Sequence, residues 1–504
     1  MKKLFYKNSL SGILQLLINL LITFYVIHVF INKLGTEVYG VYSIISIIGN
    51  LNVLVNFGFN TCLLKYLSEQ GKSLESNYDI IASILMMVII LIPFTIILFL
   101  LKKFILINIF NIPIYLYKES DIYMNFVLIA NFIMLIGQLL TAILDSMQII
   151  VITNLLQLGY NILYWAGIFI ASILYESLAT IGALNLVASI IWFVFVVFFV
   201  RNKWGKIIIK GFFNNLIRII KKQLSYSLKI YLSSVTGLLI EPLSKIIISN
   251  LFSVKEVGFF DIALKIKSQI FNIIQKALYP LLPYLASLKE ENRISTIIED
   301  IEQKIYIIVV PLISIIFICS YSFVQLWIGE NVYIITVSIQ VLVCSFLIFS
   351  VTMIPVYFYF SLKNAIMTFY TQLISAIGNI LIIIVLYKFL GYYSILIGNC
   401  IAIILSFIYL LYNQNEILNT STFKSFILPL KLLAITLILL GSGIILNLII
   451  TSHLLKLVIN PIAIILMNII LYRMCGILKK SDFEKYFDVN NKIIKLVENI
   501  LCNY

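Results

Sequence analysis

Long apolar runs separated by short polar breaks fill almost the whole chain. Runs able to cross about 30 Å of hydrocarbon at about 1.5 Å per residue recur near residues 10 to 31, 39 to 64, 80 to 101, 121 to 143, 155 to 175, 180 to 200, 224 to 252, 258 to 285, 305 to 326, 333 to 360, 365 to 387, 392 to 412, 425 to 450 and 454 to 472. The pattern predicts about fourteen transmembrane helices in an all-α polytopic membrane protein. The breaks are short, the longest being the outside loop near residues 102 to 120. No soluble domain large enough for catalysis is predicted on either face.

Two runs between residues 221 and 289 break the apolar rule. At 100° per residue Asp261, Lys265, Ser268, Asn272 and Lys276 fall in one narrow sector of a helix, and Ser227, Tyr231, Ser234, Glu241 and Lys245 align on the preceding one. Each Asp, Lys or Arg at a bilayer centre costs roughly 2.5 to 3.5 kcal/mol, so five charges facing lipid would cost about 12 kcal/mol. They are therefore expected to face something other than lipid. One reading is a water-filled cavity receiving an anionic substrate, with Lys245, Lys265 and Lys276 as its cations. The other is a set of self-neutralising pairs, Glu241 with Lys245 and Asp261 with Lys265, with Lys276 snorkelling to a helix end.

The first two runs carry milder polar stripes. Gln15 and Asn19 share a face of the first, and Asn50 and Asn60 lie along the second, which ends in Lys65. Amides there suit sugar hydroxyls or serve as interhelical hydrogen bonds. Lys65 is a further candidate cation or a snorkelling boundary lysine. Asp145, closing the fourth run, is either a coupling carboxylate or a solvated loop acid.

Composition agrees with the pattern. Of 504 residues, 62% are hydrophobic and 12% charged, with a mean hydropathy of +1.07, too little polar surface for a soluble globule. The formal charge of +14 would suggest nucleic acid in a soluble protein, but here the basic residues sit mostly in short loops. With both termini cytoplasmic, roughly 23 fall inside and roughly 7 outside, a positive-inside bias that favours an even number of spans. The start, MKKLFYKNSL, reads as the approach to a first transmembrane helix and not as a removable signal. Six cysteines are scattered in or beside the spans without C-x-x-C spacing, and His28 and His453 are the sole histidines, so neither a metal centre nor another cofactor is expected. No G-x-x-x-x-G-K-[ST] loop, H-E-x-x-H or G-x-S-x-G motif occurs, which argues against ATP-driven transport by this chain alone and against hydrolysis.

The basic, amphipathic stretch 201–222, RNKWGKIIIKGFFNNLIRIIKK, is expected to lie on the cytoplasmic membrane surface and to divide the chain. The expected organisation is an N-terminal lobe over 1–200, a C-terminal lobe over 223–412, two extra helices over 425–472 and a cytoplasmic tail over 473–504. LGTEVYGVYSI, with Gly40, is echoed by FSVKEVGFFDIA, with Gly258, each at the first hairpin of its half. Such a repeat is the usual construction of a secondary transporter.

The segment NSLSGILQLLINLLITFYVIHVFINKLGTEVYGVYSIISIIGN and its continuation to Lys72, with SVKEVGFFDIALKI, LWIGENVY and IGNILIIIVLYKFLGYYSILIGNCIA, resemble the polysaccharide-type flippases, such as the O-antigen (Wzx) flippases, of the multidrug/oligosaccharidyl-lipid/polysaccharide exporter superfamily. The resemblance runs along essentially the whole chain. It implies two pseudo-symmetric six-helix lobes plus two C-terminal helices, a central cavity opening alternately to either face, and transport of undecaprenyl-pyrophosphate-linked oligosaccharides across the bacterial plasma membrane. The implied partners are the lipid-linked oligosaccharide, membrane lipid and other membrane proteins of polysaccharide assembly, with the carrier itself a monomer and no nucleic acid involved. A multidrug or organic-cation antiporter of the same superfamily and a membrane polymerase or ligase are the alternatives. The first would need acids unmasked by lysines, the second a large outside loop with catalytic arginines or histidines.

Overall fold

In the computed structural model the apolar runs are helices, and the described residues are 2–50, 58–207, 216–224, 227, 240–278, 291–361, 365–418 and 422–474. In chain order these are α1 (Lys2–Ile45), α2 (Ile47–Asn50), α3 (Phe59–Gln70), α4 (Leu74–Phe104), α5 (Ile114–Ser146), α6 (Ile150–Leu174), α7 (Leu178–Trp204), α8 (Glu241–Leu251), α9 (Val254–Leu278), α10 (Glu291–Trp327), α11 (Val332–Ser361), α12 (Ala365–Leu390), α13 (Tyr393–Leu418), α14 (Thr422–Ile449) and α15 (His453–Met474). Among the described residues, ten helices are long and apolar enough to cross a membrane. The chain is a multi-pass, all-α membrane protein. Lipid permits this architecture because each helix satisfies its own backbone, and it leaves side chains such as Ile89, Leu100, Phe389 and Leu448 exposed without penalty.

Helix ends follow local chemistry. Gly71, with φ +60°, closes α3, and the Ser73 hydroxyl accepts from the Ser76 amide at 3.0 Å to open α4. Pro113 precedes α5, where its missing N–H costs nothing. The Glu119 carboxylate on α5 accepts from the Leu178 amide at 2.9 Å and so caps α7 from a distance. The predicted outside loop 102–120 is mostly helical: α4 runs to Phe104, a π turn covers Ile105–Ile109, and α5 begins at Ile114. Lys102 there bonds Asp121 at 2.8 Å and Asn125 at 3.0 Å, so charges read as a loop instead join two helix ends.

The predicted turn in LGTEVYGVYSI is present as a break within α1. The break in α1 falls at Gly35, whose φ of +86° and ψ of 163° suit only glycine, and Gly40 lies beyond it in the resumed helix.

The chain divides into two compact units, Met1–Asp261 and Ile262–Tyr504. The division falls within α9, beyond the basic stretch 201–222, because α8 and the first turns of α9 pack on α1. In the first unit α5 packs on α7, with Gly137 against Trp192 and Gly182 against Tyr123 and Phe126, while α1 lies along α6. A core of Phe59, Leu63, Ile80, Met87, Ile143 and Val196 joins α3, α4, α5 and α7. In the second unit α12 packs on α13, and α10 packs on α11, α14 and α15. Asn447 Nδ2 donates to the Ile318 carbonyl at 3.1 Å and Asn460 Nδ2 to Asn447 Oδ1 at 2.9 Å, a polar ladder through α10, α14 and α15. The tail beyond Met474 lies outside the described residues.

Candidate functional site

Two glycines set the geometry of the charged segment. Gly40 on α1 lies against the Val254 carbonyl, where a Cβ would overlap backbone, and a Cβ on Gly258 would stand 2.9 Å from the Thr36 carbonyl. The close crossing brings the second half of α1 against α8 and the start of α9. Tyr39 and Ser43, flanking Gly40 on α1, thereby meet Lys245 of α8 and Asp261 of α9.

These four groups form one buried polar cluster. Lys245 Nζ stands 2.5 Å from Asp261 Oδ1 and donates to Ser43 Oγ at 3.0 Å. The Tyr39 hydroxyl donates to Asp261 Oδ2 at 2.7 Å, so both carboxylate oxygens are engaged. Lys245 and Asp261 are 6% and 5% exposed, Tyr39 1% and Ser43 0%, which takes both charges out of water and makes each the other's main compensation. Next to them Tyr42 and Tyr164 share a hydroxyl hydrogen bond of 2.5 Å, and the Tyr39 and Tyr42 rings lie 5.8 Å apart.

The pair reading gives Lys245 the carboxylate of Glu241, one turn earlier, as its partner. Glu241 lies exposed in the first turn of α8, where an acid suits the helix dipole, while Lys245 reaches across to α9. On α9 the helical sector of Asp261, Lys265, Ser268 and Asn272 is intact, and the last three are half-buried. The Ser268 hydroxyl bonds the Lys265 carbonyl at 2.9 Å. Lys267 donates to Asn399 Oδ1 on α13 at 3.2 Å. Gln15 and Asn19 are half-buried on α1, and Asn19 Oδ1 is buried without a partner among the described residues. Asn60 and Lys65 are half-buried on α3, the Lys65 ammonium 5.8 Å from the Tyr66 ring centroid. Asp145 is half-buried in the last turn of α5 and accepts from Thr153 Oγ1 at 2.7 Å. Tyr231 and Ser234 lie outside the described residues, as do the side chains of Asn50 and Lys276.

A second buried carboxylate was missed by sequence reasoning. Asp79 on α4 is 0% exposed; Lys222 Nζ stands 3.2 Å from its Oδ2, and Gln223 Nε2 donates to its Oδ1 at 3.1 Å and its carbonyl at 2.9 Å. Ser83 completes the set by donating to Gln223 Oε1 at 3.0 Å, and Lys222 stacks 4.0 Å from the Tyr66 ring centroid. The end of the basic stretch is thus pinned into the first unit. The missed signal is a lone acid at the head of YDIIASILMMVII, which demands a partner by the same desolvation argument that singled out Asp261. Asp79→Ala removes the acceptor of a charged and a neutral donor, one of them buried, and is expected to destabilise the protein by about 2 to 3 kcal/mol. Glu75→Ala breaks the exposed pair with Arg218 and should cost less than about 1 kcal/mol. Thermal unfolding of the two purified variants, side by side, checks the contrast; equal losses would deny the Asp79 cluster its structural role.

Among the described residues no three His, Cys, Asp or Glu side chains converge as a metal site would require. A family profile described as polysaccharide biosynthesis protein matches residues 5–289. The fold is similar to that of a lipid II flippase, MurJ, in an inward closed conformation, with a TM-score of 0.71 at 15% identity over 94% of this chain and 100% of that one. It is also similar to an inward-facing multidrug resistance MATE family transporter of the MOP superfamily (TM-score 0.61, 13% identity, 82% of this chain and 99% of that one). A MOP superfamily transporter from Pyrococcus furiosus gives 0.59 at 14% identity, over 82% of this chain and 96% of that one. At these identities the likeness establishes the fold. No curated protein sequence matches the chain at a significant level.

Proposed function

The chain belongs to the polysaccharide biosynthesis protein family, and from that premise we propose that it is a flippase for lipid-linked oligosaccharides. It moves undecaprenyl-pyrophosphate-linked repeat units across the bacterial plasma membrane by alternating access, with both termini cytoplasmic, for surface polysaccharide of the O-antigen or capsule type. The observation that carries this reading is the family match over residues 5–289 on a fold shared with a flippase of another lipid-linked precursor. The proteins whose fold it shares are a flippase and transporters rather than enzymes.

The chemistry supports the choice of substrate. A pyrophosphate and its sugars do not cross hydrocarbon bare, and a carrier must offer cations and hydrogen-bonding groups while the polyprenyl tail stays in lipid. Lys265 and Lys276 on α9 are the proposed phosphate contacts, with Lys65 a further one and Lys245 held in reserve by Asp261. Ser268, Asn272, Tyr231, Ser234, Gln15, Asn19, Asn50 and Asn60 are proposed to meet sugar hydroxyls. In this reading the repeat-defined lobes are 1–200 and 223–412. The antiporter alternative shares the fold, but it needs acids open to a cationic drug, and Asp261 and Asp79 each hold a lysine instead.

Lys265→Ala combined with Lys276→Ala is expected to leave protein level normal while lipid-linked repeat units accumulate on the cytoplasmic leaflet and surface glycan falls at least tenfold. Deleting the gene and analysing the surface glycans tests the function itself: loss of one glycan supports the flippase, and altered drug susceptibility with intact glycans supports the antiporter.

A further inference from the structure

Lys245 is buried, yet it lies on the segment to which the flippase reading assigns anion binding. In the structure its charge is fully answered: Asp261 takes the ammonium on one oxygen and the Tyr39 hydroxyl on the other, and Ser43 takes a second ammonium hydrogen. An anion arriving at this ammonium would meet a carboxylate already in place, and two anions on one lysine repel each other. A proton on Asp261 changes the balance. The carboxylic acid keeps a hydrogen-bonding role beside Tyr39 but no longer neutralises Lys245, and an ammonium left buried without a counter-charge must recruit another anion.

We propose that Asp261 is a proton-binding site whose occupancy hands Lys245 over to a phosphate-type anion, so that proton uptake and anion binding favour each other. The charge balances: one proton neutralises Asp261, and one negative charge of the anion replaces it at Lys245. Linkage makes the effect reciprocal, with proton binding strengthened by the anion as much as the reverse. The groups facing Asp261 are consistent with a single titrating centre. Tyr39 from α1 and Tyr164 from α6 are hydroxyls, Lys245 from α8 is the partner cation, and Lys265 stands one turn further along α9 itself. Tyr39 is a positioning residue, because its hydrogen bond favours the ionised carboxylate.

The choice of pyrophosphate as probe rests on the flippase reading; the exchange itself does not. Inorganic pyrophosphate binding to the purified full-length protein in lipid nanodiscs is measured between about pH 5 and pH 8, where one linked proton changes affinity by up to about tenfold per pH unit. The native protein is expected to bind more tightly as pH falls. Asp261→Asn should bind tightly throughout, showing only the probe's own titration, and Lys245→Gln should bind weakly throughout. Tyr39→Phe should move the midpoint. A native-like pH slope in Asp261→Asn, or native-like binding by Lys245→Gln, overturns the proposal. Should Asp261→Asn not fold, an unmoved midpoint in Tyr39→Phe overturns it instead. Because the assay contains no glycolipid, pH-linked binding in a protein whose deletion spares every surface glycan would sink the flippase reading alone, and lost glycan without pH linkage would sink this one alone.

Discussion

Gly40→Ala should destabilise the protein by about 3 kcal/mol, the upper end of the usual range for overpacking a filled interior. The methyl group would occupy the space of the Val254 carbonyl, which belongs to a helical turn and has no rotamer by which to withdraw. Relief therefore requires moving α8 and α9 away from α1 as bodies. That movement also separates Tyr39 and Ser43 from Asp261 and Lys245, so a steric change of one carbon costs a buried ion pair its supporting hydrogen bonds. Gly258→Ala should follow in the same direction with a smaller loss, since its nearest neighbour, the Thr36 carbonyl, would be 2.9 Å away. Gly159 on α6 is the control: a Cβ there meets nothing within 4 Å, and alanine is the better helix former by about 1 kcal/mol. Thermal unfolding of the three variants, followed by monodisperse recovery from detergent, should rank Gly159→Ala at or above the native protein and Gly40→Ala at the bottom. A Gly40→Ala protein as stable as the native one would show that α1 does not approach α9 so closely.

The sequence signals that worked and those that failed separate on physical grounds. Length and apolarity alone place α6, α7 and α15 within a few residues of the predicted 155 to 175, 180 to 200 and 454 to 472, because a membrane span is dictated by solvent. The similarity of the Gly40 and Gly258 segments was legible, but not its meaning. A glycine in a run reads as a turn, whereas here both are helical and the gap left by their missing side chains is filled by the other helix. Lys102 suggested a loop because charge ordinarily marks water; its place at a helix end is tied to Asp121 and Asn125 of the neighbouring helix, which periodicity along one segment cannot reveal.

The charged cluster shows the same limit more sharply. That Lys245 and Asp261 must be compensated followed from the cost of burying a charge. Their pairing with each other did not, since i to i+4 spacing offered Glu241 and Lys265 as nearer partners. The choice is made by the tight connection at Phe252 and Ser253, which folds α9 back beside α8, and by the close approach of α1, which supplies Tyr39 and Ser43. Local spacing proposes pairs, and the packing of helices on one another selects among them.

Asp261→Ala is expected to be the most damaging single change in the first unit, at about 3 to 5 kcal/mol, because it leaves the buried Lys245 ammonium without its counter-charge. Lys245→Met should cost less: Asp261 can take up a proton and keep Tyr39 as a hydrogen-bond partner, so no net charge stays buried. Removing both charges, in Lys245→Met with Asp261→Leu, should recover most of the loss, since a buried ion pair replaced by apolar groups of similar volume is commonly neutral or stabilising by about 1 to 4 kcal/mol. Thermal unfolding around this double-mutant cycle measures the coupling directly, and singles that simply add would deny the pair. The cycle also separates a brace from an exchange site. If the pair only braces the fold, the recovered double variant should transport normally, and pyrophosphate should not stabilise Asp261→Ala. If Lys245 is the anion acceptor, the double variant should fold and bind pyrophosphate more weakly than the native protein, while millimolar pyrophosphate should raise the unfolding temperature of Asp261→Ala more than that of the native protein at neutral pH, by filling the place the carboxylate left.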